Sequence, residues 1–199
     1  DDLFGEDGIY VTGREYDEWY LSATPSDDAP SPNFEKHLEV TAIAEIIDNS
    51  EDILNQPVGL RLQGNSTRGW YKKRFIVESH PELSGSRIFP VDIFPGVSTH
   101  SVMTKDSLVD AIIYDLTSDR SVSAQKSVPV RVFLNGEYWY DSYLLERYDK
   151  QYFREYFHVD DVMLVKDGVI SEEISTNRGA FYALMDWVSR TDFSDSAQW

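Results

Sequence analysis

Cysteine is absent from the 199 residues of this sequence. Its absence excludes disulfide bonds and cysteine-ligated zinc sites. It leaves the compartment open, because a chain without thiols suits the cytosol and also suits a protein secreted by an anaerobic bacterium. The histidines at positions 37, 80, 100 and 158 lack the i, i+4 spacing of helical metal ligands. The sequence therefore predicts no metal site.

Long apolar runs are also missing, and so is an excess of positive charge. No run approaches the roughly 18 apolar residues that a membrane-spanning helix needs, so we predict no membrane span. The chain carries 18 Lys+Arg against 35 Asp+Glu, a formal charge of −17. Because such a field repels phosphate, nucleic acid is not an expected partner.

Apolar and aromatic residues are plentiful by comparison. The hydrophobic share is 41% and the aromatic share is 14%. This composition is sufficient for a packed core and argues against global disorder. A chain of this length fits one domain, or one domain and part of another.

Residue patterns predict an α+β fold with an antiparallel sheet and packed helices. The clearest signal is residues 127–146, where two alternating runs flank Asn135-Gly136, a dipeptide typical of a type I′ hairpin turn. The other expected strands are 37–48, 58–64, 71–79 and a short pair within 162–170. The expected helices are 105–119, 149–158 and 179–190, with Asp106 and Asp149 as N-caps of the first two. Residues 1–21 are interpreted as short extended segments, 49–57 as a connection and 80–105 as irregular.

Positive charge is concentrated in LRLQGNSTRGWYKKRF, residues 60–75, which holds five cations and no acid. The glycines at 64 and 69 allow a ligand to approach the backbone closely. One interpretation is a site for a small anion. The alternative is a solvated hairpin loop whose cations offset acidic neighbours.

Several segments together resemble the CotH family of spore-coat-type atypical protein kinases. They are GLRLQGNSTRGWYKKRF, the helical VDAIIYDL, VRVFLNGEYWYDSYLLERYDKQYF and VMLVKDG. LFGEDGIYVTG and FPVDIFPG are similar to the secreted or cellulosome-associated branch of that family. The chain departs from the family pattern at Tyr71, Arg74, Val109 and Tyr140.

The resemblance implies a kinase-like N-lobe at 37–148, preceded by an N-terminal extension with a Pro-rich loop at 1–36. Residues 149–199 would be the helices that follow the hinge, at the start of an incomplete C-lobe. The family's catalytic and metal-binding aspartates belong to sequence blocks that do not occur here. We therefore expect the catalytic residues and the Mg²⁺ ligands to lie outside this chain.

The resemblance also implies an ATP site in the basic segment. Backbone N–H groups and side chains of Asn65, Ser66, Thr67 and Arg68 would hold phosphate oxygens. Either Lys72 or Lys73 would bind the α/β-phosphates, with Lys73 preferred because strand alternation places it with Phe75 and Val77. A kinase lysine is held by a helix acid.

Three acids complete the expected site. Asp110 matches the family's helix acid, with an exposed helix acid as the alternative. Leu144 to Arg147 would face an adenine edge, while Glu146 and Asp149 would reach the ribose. Glu146 could equally be a structural acid paired with Arg147 or Arg131.

Two classes of function follow from these interpretations. The first is an ATP-dependent Ser/Thr protein kinase domain, of which this chain is the nucleotide-binding half, with ATP and Mg²⁺ as cofactors and a protein hydroxyl as acceptor. The second is a non-catalytic, pseudokinase-like binding or structural module of a surface or cellulosome-associated protein. The expected location is secreted or on the cell surface of an anaerobic bacterium, rather than the spore coat or the cytoplasm.

Overall fold

The computed structural model describes residues 2–22, 28–48, 51–64, 66–106, 108–120, 124–166, 169–170 and 178–194. The chain divides into two compact units, Asp1–Arg147 and Tyr148–Trp199. The first 36 residues belong to the same unit as the large sheet. The helices and strands confirm the predicted α+β class with an antiparallel sheet.

The first unit is built on a six-stranded antiparallel sheet in the order β1-β2-β3-β4-β6-β5. Its strands are β1 Glu39–Asp48, β2 Glu51–Gln63, β3 Arg74–Glu78, β4 Ser101–Lys105, β5 Ser127–Leu134 and β6 Glu137–Glu146. Its helices are α1 Arg14–Leu21, α2 Pro81–Ser84 and α3 Leu108–Thr117, with a 3₁₀ turn at Ser66–Gly69.

The β5–β6 hairpin forms as its sequence predicts. Asn135 and Gly136 have φ values of 53° and 82°. Two successive positive φ values are the requirement of a type I′ turn, which only residues such as Asn and Gly meet at low cost.

Four local predictions were wrong. Residues 51–57, expected to be a connection, begin β2, because Leu54 and its neighbours continue the alternation and pair with β1. The segment expected to be irregular contains β4, which is short and obtains its hydrogen bonds from β3 and β6. The N-terminal segment contains α1. Strand β3 begins at Arg74, so both lysines of the basic segment lie before it.

One face of the sheet carries the core. Val58, Leu60, Phe75, Val102 and Leu144 are buried there because alternate residues of each strand point to the same side. Apolar residues of the 89–97 segment cover one end of this face, and Ile9, Tyr10 and Phe34 cover the other. Full burial of a side chain of this kind stabilises the fold by roughly 1.5–3 kcal/mol.

The second unit contains α4 Lys150–Phe157, β7 Val165–Lys166, β8 Val169–Ile170 and α5 Arg178–Arg190. Helix α4 begins as predicted, since the Asp149 carboxylate accepts a hydrogen bond of 3.0 Å from the backbone N–H of Tyr152. β7 and β8 pair antiparallel, as expected for 162–170. Their predicted turn, Asp167-Gly168, lies outside the described residues. Among the helices of the described residues, none is both long and apolar enough to span a membrane.

Candidate functional site

The basic loop, residues 64–73, depends on a glycine at its first position. Gly64 has a φ of 109°, and a Cβ there would lie 2.0 Å from the Thr67 side-chain oxygen. A side chain at position 64 would therefore strain the backbone and displace Thr67. Of the predicted phosphate cradle, Asn65 lies outside the described residues, and Ser66 begins the 3₁₀ turn.

The guanidinium of Arg68 binds protein groups. Its Nε donates to the Gly64 carbonyl at 2.5 Å, and Nη1 donates to the Glu35 carbonyl at 3.0 Å. Nη2 lies 3.1 Å from the His37 ring nitrogen Nδ1. Burial is the main cause that lowers the pKa of Arg68, and the charge of Arg61 adds to it. Arg68 thus joins the basic loop to the segment before β1.

Lys73 is buried in an aromatic cage. Its Nζ lies 4.8 Å from the ring centroid of Tyr10 and 4.5 Å from that of Phe34, and it donates to the Trp70 carbonyl at 2.9 Å. Burial lowers the pKa of Lys73. The adjacent Lys72 is exposed. Lys73 lies on the same side as Phe75, as alternation predicts. This is the core side of the sheet, where the ammonium of Lys73 packs against the rings of Tyr10 and Phe34.

The opposite side of the sheet, called here the polar face, carries a different lysine. Lys105 ends β4, and its Nζ lies 2.6 Å from Oδ2 of Asp110, in the first turn of α3. Both side chains are about 30% exposed, at 31% and 28%. The predicted helix acid is therefore paired with a lysine, and that lysine lies outside the basic loop.

Arg74 also faces this side. Its Nη2 lies 3.3 Å from the Asp106 carboxylate, and its guanidinium carbon lies 5.5 Å from the Trp70 ring centroid. Asp106, predicted to cap the helix, lies two residues before the first residue of α3, and its carboxylate accepts a hydrogen bond from Arg74.

An apolar strip crosses the polar face beside these cations. Strand register places Ile76 opposite Met103, and Met103 opposite Leu145. Leu145 is fully buried, while Ile76 and Met103 are partly exposed. A cleft of about 510 Å³ lies on β5 and β6. Its lining includes Asp106, Arg131, Asp141 and Tyr143, and Tyr143 is the register partner of Lys105 in β4.

A charged cluster lies beyond the strip, at the end of β6. Glu78 binds Arg61 through one carboxylate oxygen and Arg147 through the other, the second contact at 2.5 Å. Arg61 Nε also lies 3.4 Å from Glu39, whose other oxygen lies 3.1 Å from His80 Nε2. Side-chain exposure is 10% for Arg147 and 12% for Glu78.

Glu39, Glu78 and His80 have the residue types of a metal site, and their ligand atoms lie within 4.8 Å of one another. Two guanidiniums already neutralise the two carboxylates, so the cluster does not attract a divalent cation. The donor set does not fit Mg²⁺. The sequence missed this cluster because its members come from β1, β2, β3 and the end of β6.

Glu146 and Asp149 are both buried, at 4% and 8% exposure. The Glu146 N–H donates to the Lys126 carbonyl at 3.0 Å, and its carbonyl accepts from Gln125 at 2.9 Å. This part of the expected adenine edge is therefore engaged with the chain before β5. The ribose contacts of both acids stay predictions.

An antiparallel sheet with a helix between β4 and β5, and with β4 beside β6, is compatible with a kinase-like lobe. A family model described as CotH kinase protein matches residues 60–195, more than half of the chain. The chain belongs to this family, as its motifs indicated. No curated protein and no solved structure gives a significant match. The secreted or cellulosome-associated branch stays a prediction.

Proposed function

We propose that this chain is the nucleotide-binding half of an ATP-dependent atypical protein kinase, acting on Ser or Thr hydroxyls of a protein. The observation that carries the proposal is the ion pair between Lys105 and Asp110 on the polar face. A strand lysine held by an acid of the following helix is the arrangement with which kinases bind the α/β-phosphates.

The surroundings of the other cations support Lys105 as the phosphate ligand. The Lys73 ammonium is enclosed by Tyr10, Phe34 and Trp70, and the Arg68 guanidinium binds backbone carbonyls. Moving either cation to a phosphate would break these contacts. Lys105 is partly exposed and needs only to share its charge with Asp110.

The polar face also fits the rest of a nucleotide. Ile76 and Met103, the partly exposed members of the apolar strip, offer a surface for a purine base, and Arg74 offers a second cation for the phosphates. ATP supplies the phosphoryl group when it is bound.

Substitution of Lys105 tests the proposal, and Lys72→Ala tests the alternative, because Lys72 is the exposed lysine of the basic loop that the resemblance also offers as a phosphate ligand. Loss of a charge-assisted contact costs about 1.5–3 kcal/mol, so Lys105→Ala raises the Kd for ATP roughly ten- to hundredfold. Lys72→Ala leaves it unchanged. Both constants are measured by isothermal titration calorimetry, with circular dichroism as the check of folding.

An unaltered ATP affinity in Lys105→Ala would show that the phosphates bind elsewhere. Absence of ATP binding in the wild type would remove the proposal and favour the non-catalytic module. Transfer itself is tested by incubation with radiolabelled ATP and a Ser-rich protein. Because the catalytic residues are expected outside this chain, binding without labelling is the result that a nucleotide-binding half gives, and labelling would show that this chain carries the catalytic residues itself.

A further inference from the structure

Helix α3 turns its apolar side toward solvent. Its aliphatic side chains fall within one side of a helix with about 3.6 residues per turn. They are Leu108, Val109, Ile112, Ile113 and Leu116, called here the outer stripe. Their exposures run from 45% for Ile112 to 70% for Leu116. The structure describes all 10 residues of α3, and none of them is buried.

The opposite side of α3 is polar, and the helix lies beside β5. Its half-buried residues are Asp110, Ala111, Tyr114 and Thr117. Asp110 is held by the ion pair with Lys105 at the end of β4. A surface helix ordinarily has the reverse arrangement, with its apolar stripe against the core. The contact that holds α3 on the sheet therefore leaves the outer stripe exposed.

The outer stripe has the pattern of a docking surface. Single exposed apolar residues are normal, but a contiguous apolar patch marks an interaction site. Val109, Ile112, Ile113 and Leu116 follow the i, i+3, i+4, i+7 spacing with which one helix face packs against a partner. This spacing suits a second helix that lies along α3.

A second copy of this chain fits the outer stripe poorly. The 10 residues of α3 make a stripe about 15 Å long and about 10 Å wide. A stable protein interface covers roughly 800 Å² on each partner, several times the area of this stripe. The formal charge of −17 also makes two copies repel each other. Size and charge therefore favour a short, positively charged segment of another protein.

An acidic residue borders the outer stripe. Asp115 lies three residues after Ile112 and next to Leu116, so its side chain stands at the edge of the stripe. It is exposed, and it forms no ion pair within the part of the chain that the structure describes. Asp119 and Arg120, just beyond the helix, pair with each other and add no net charge. Asp115 is therefore available to a cation of a docked segment.

We propose that the outer stripe of α3 docks an amphipathic helical segment of another protein. The aliphatic residues of that segment pack against Ile112 and Leu116, and a Lys or Arg on its rim pairs with Asp115. Asp110 lies on the opposite side of α3, so docking leaves its pair with Lys105 in place. The inference is separate from nucleotide binding and goes beyond the proposed function.

The probe is a synthetic peptide of about 18 residues, long enough to be helical, with leucines on one side and lysines on the other. Its fluorescein-labelled form is titrated with the protein, and the Kd is measured by fluorescence anisotropy at about 0.15 M salt. We expect the α3 double variant, Ile112→Gln with Leu116→Gln, to raise the Kd at least about tenfold, because two apolar side chains no longer pack on the peptide. Gln is a good helix former and both positions are exposed, so circular dichroism should show an unchanged fold.

A matched control and a charge reversal accompany this variant. Leu21→Gln with Ile43→Gln replaces two exposed apolar side chains of α1 and β1, and it should leave the Kd unchanged. Asp115→Lys should raise the Kd for the lysine peptide about threefold, the size of an exposed ion pair. A peptide with Glu in place of each Lys should bind Asp115→Lys more tightly than it binds the wild type.

Four results would overturn the inference: no binding of the lysine peptide to the wild type, equal binding of the glutamate peptide, an unchanged Kd in the folded α3 double variant, or the same loss in the control. Sedimentation of the wild type as a dimer that the α3 double variant dissociates would assign the stripe to a second copy instead. Binding to phosphatidylcholine vesicles that this variant abolishes would assign it to a membrane surface instead. An absence of ATP binding would refute the proposed function and leave this inference standing.

Discussion

Replacement of Tyr140 by Phe tests the packing between the core and the basic loop through its pH dependence. The Tyr140 hydroxyl donates to the Lys73 carbonyl at 3.0 Å and lies 3.1 Å from the Thr104 hydroxyl. Its side chain is 8% exposed. Burial raises the pKa of Tyr140 from 10.0 to about 12, an effect that the Thr104 hydrogen bond reduces.

A raised tyrosine pKa stabilises the folded state only while the hydroxyl stays protonated. Above pH 10 the hydroxyl of Tyr140 loses its proton in the unfolded chain while it still keeps that proton in the folded protein. The contribution of Tyr140 to the free energy of unfolding therefore falls as the pH rises toward its folded-state pKa. At about pH 11 the loss from this residue is about 1.4 kcal/mol, and above about pH 12 it approaches 2.7 kcal/mol.

Tyr140→Phe should therefore be less stable at neutral pH but less sensitive to alkali. Removal of a buried hydrogen-bonding partner costs about 1–3 kcal/mol at about pH 8. The stability difference between wild type and variant then narrows by about 1.4 kcal/mol on going to about pH 11. This difference in the free energy of unfolding is measured by urea unfolding, followed by circular dichroism, at the two pH values. The other tyrosines and the lysines titrate in both proteins, so their effects cancel in the difference. A difference that stays constant across this range would refute the assignment of the shift to Tyr140.

Two further predictions concern backbone features. Gly64→Ala should lower the melting temperature more than Gly85→Ala, because both positions have positive φ but only Gly64 would place a Cβ against Thr67; equal losses would contradict this packing. Asp149→Ala should destabilise α4 by about 1 kcal/mol through loss of its N-cap, measured by thermal unfolding with Glu18→Ala, an exposed acid of α1, as control. An unchanged melting temperature in Asp149→Ala would contradict the capping role.

Features that depend on near neighbours in the chain could be predicted. The turn at Asn135-Gly136, the N-cap of α4 and the helix at 178–190 follow from residue preferences and spacing over a few positions. Strand β4 could not be found this way. Its five residues carry a weak alternation, and their hydrogen bonds come from β3 and β6.

The candidate site was predictable only in part. The resemblance to the CotH family implied that Asp110 is the helix acid that holds a lysine, and the structure has Asp110 in the first turn of α3. The sequence selected the lysine from the basic segment, since five cations without an acid stand out in a chain of charge −17. The structure pairs Asp110 with Lys105 instead, because β4 delivers that lysine to the start of α3.

By itself, the sequence determined the family, the α+β class and the acidic character of this protein, because motifs, periodicity and charge are properties of the linear chain. Only the tertiary structure decided what each cation does. Arg68 and Lys73 contact residues of the N-terminal segment. Arg61 and Arg147 form ion pairs with Glu78. Which carboxylate, carbonyl or ring meets a cation depends on contacts between residues far apart in sequence, and folding alone establishes them.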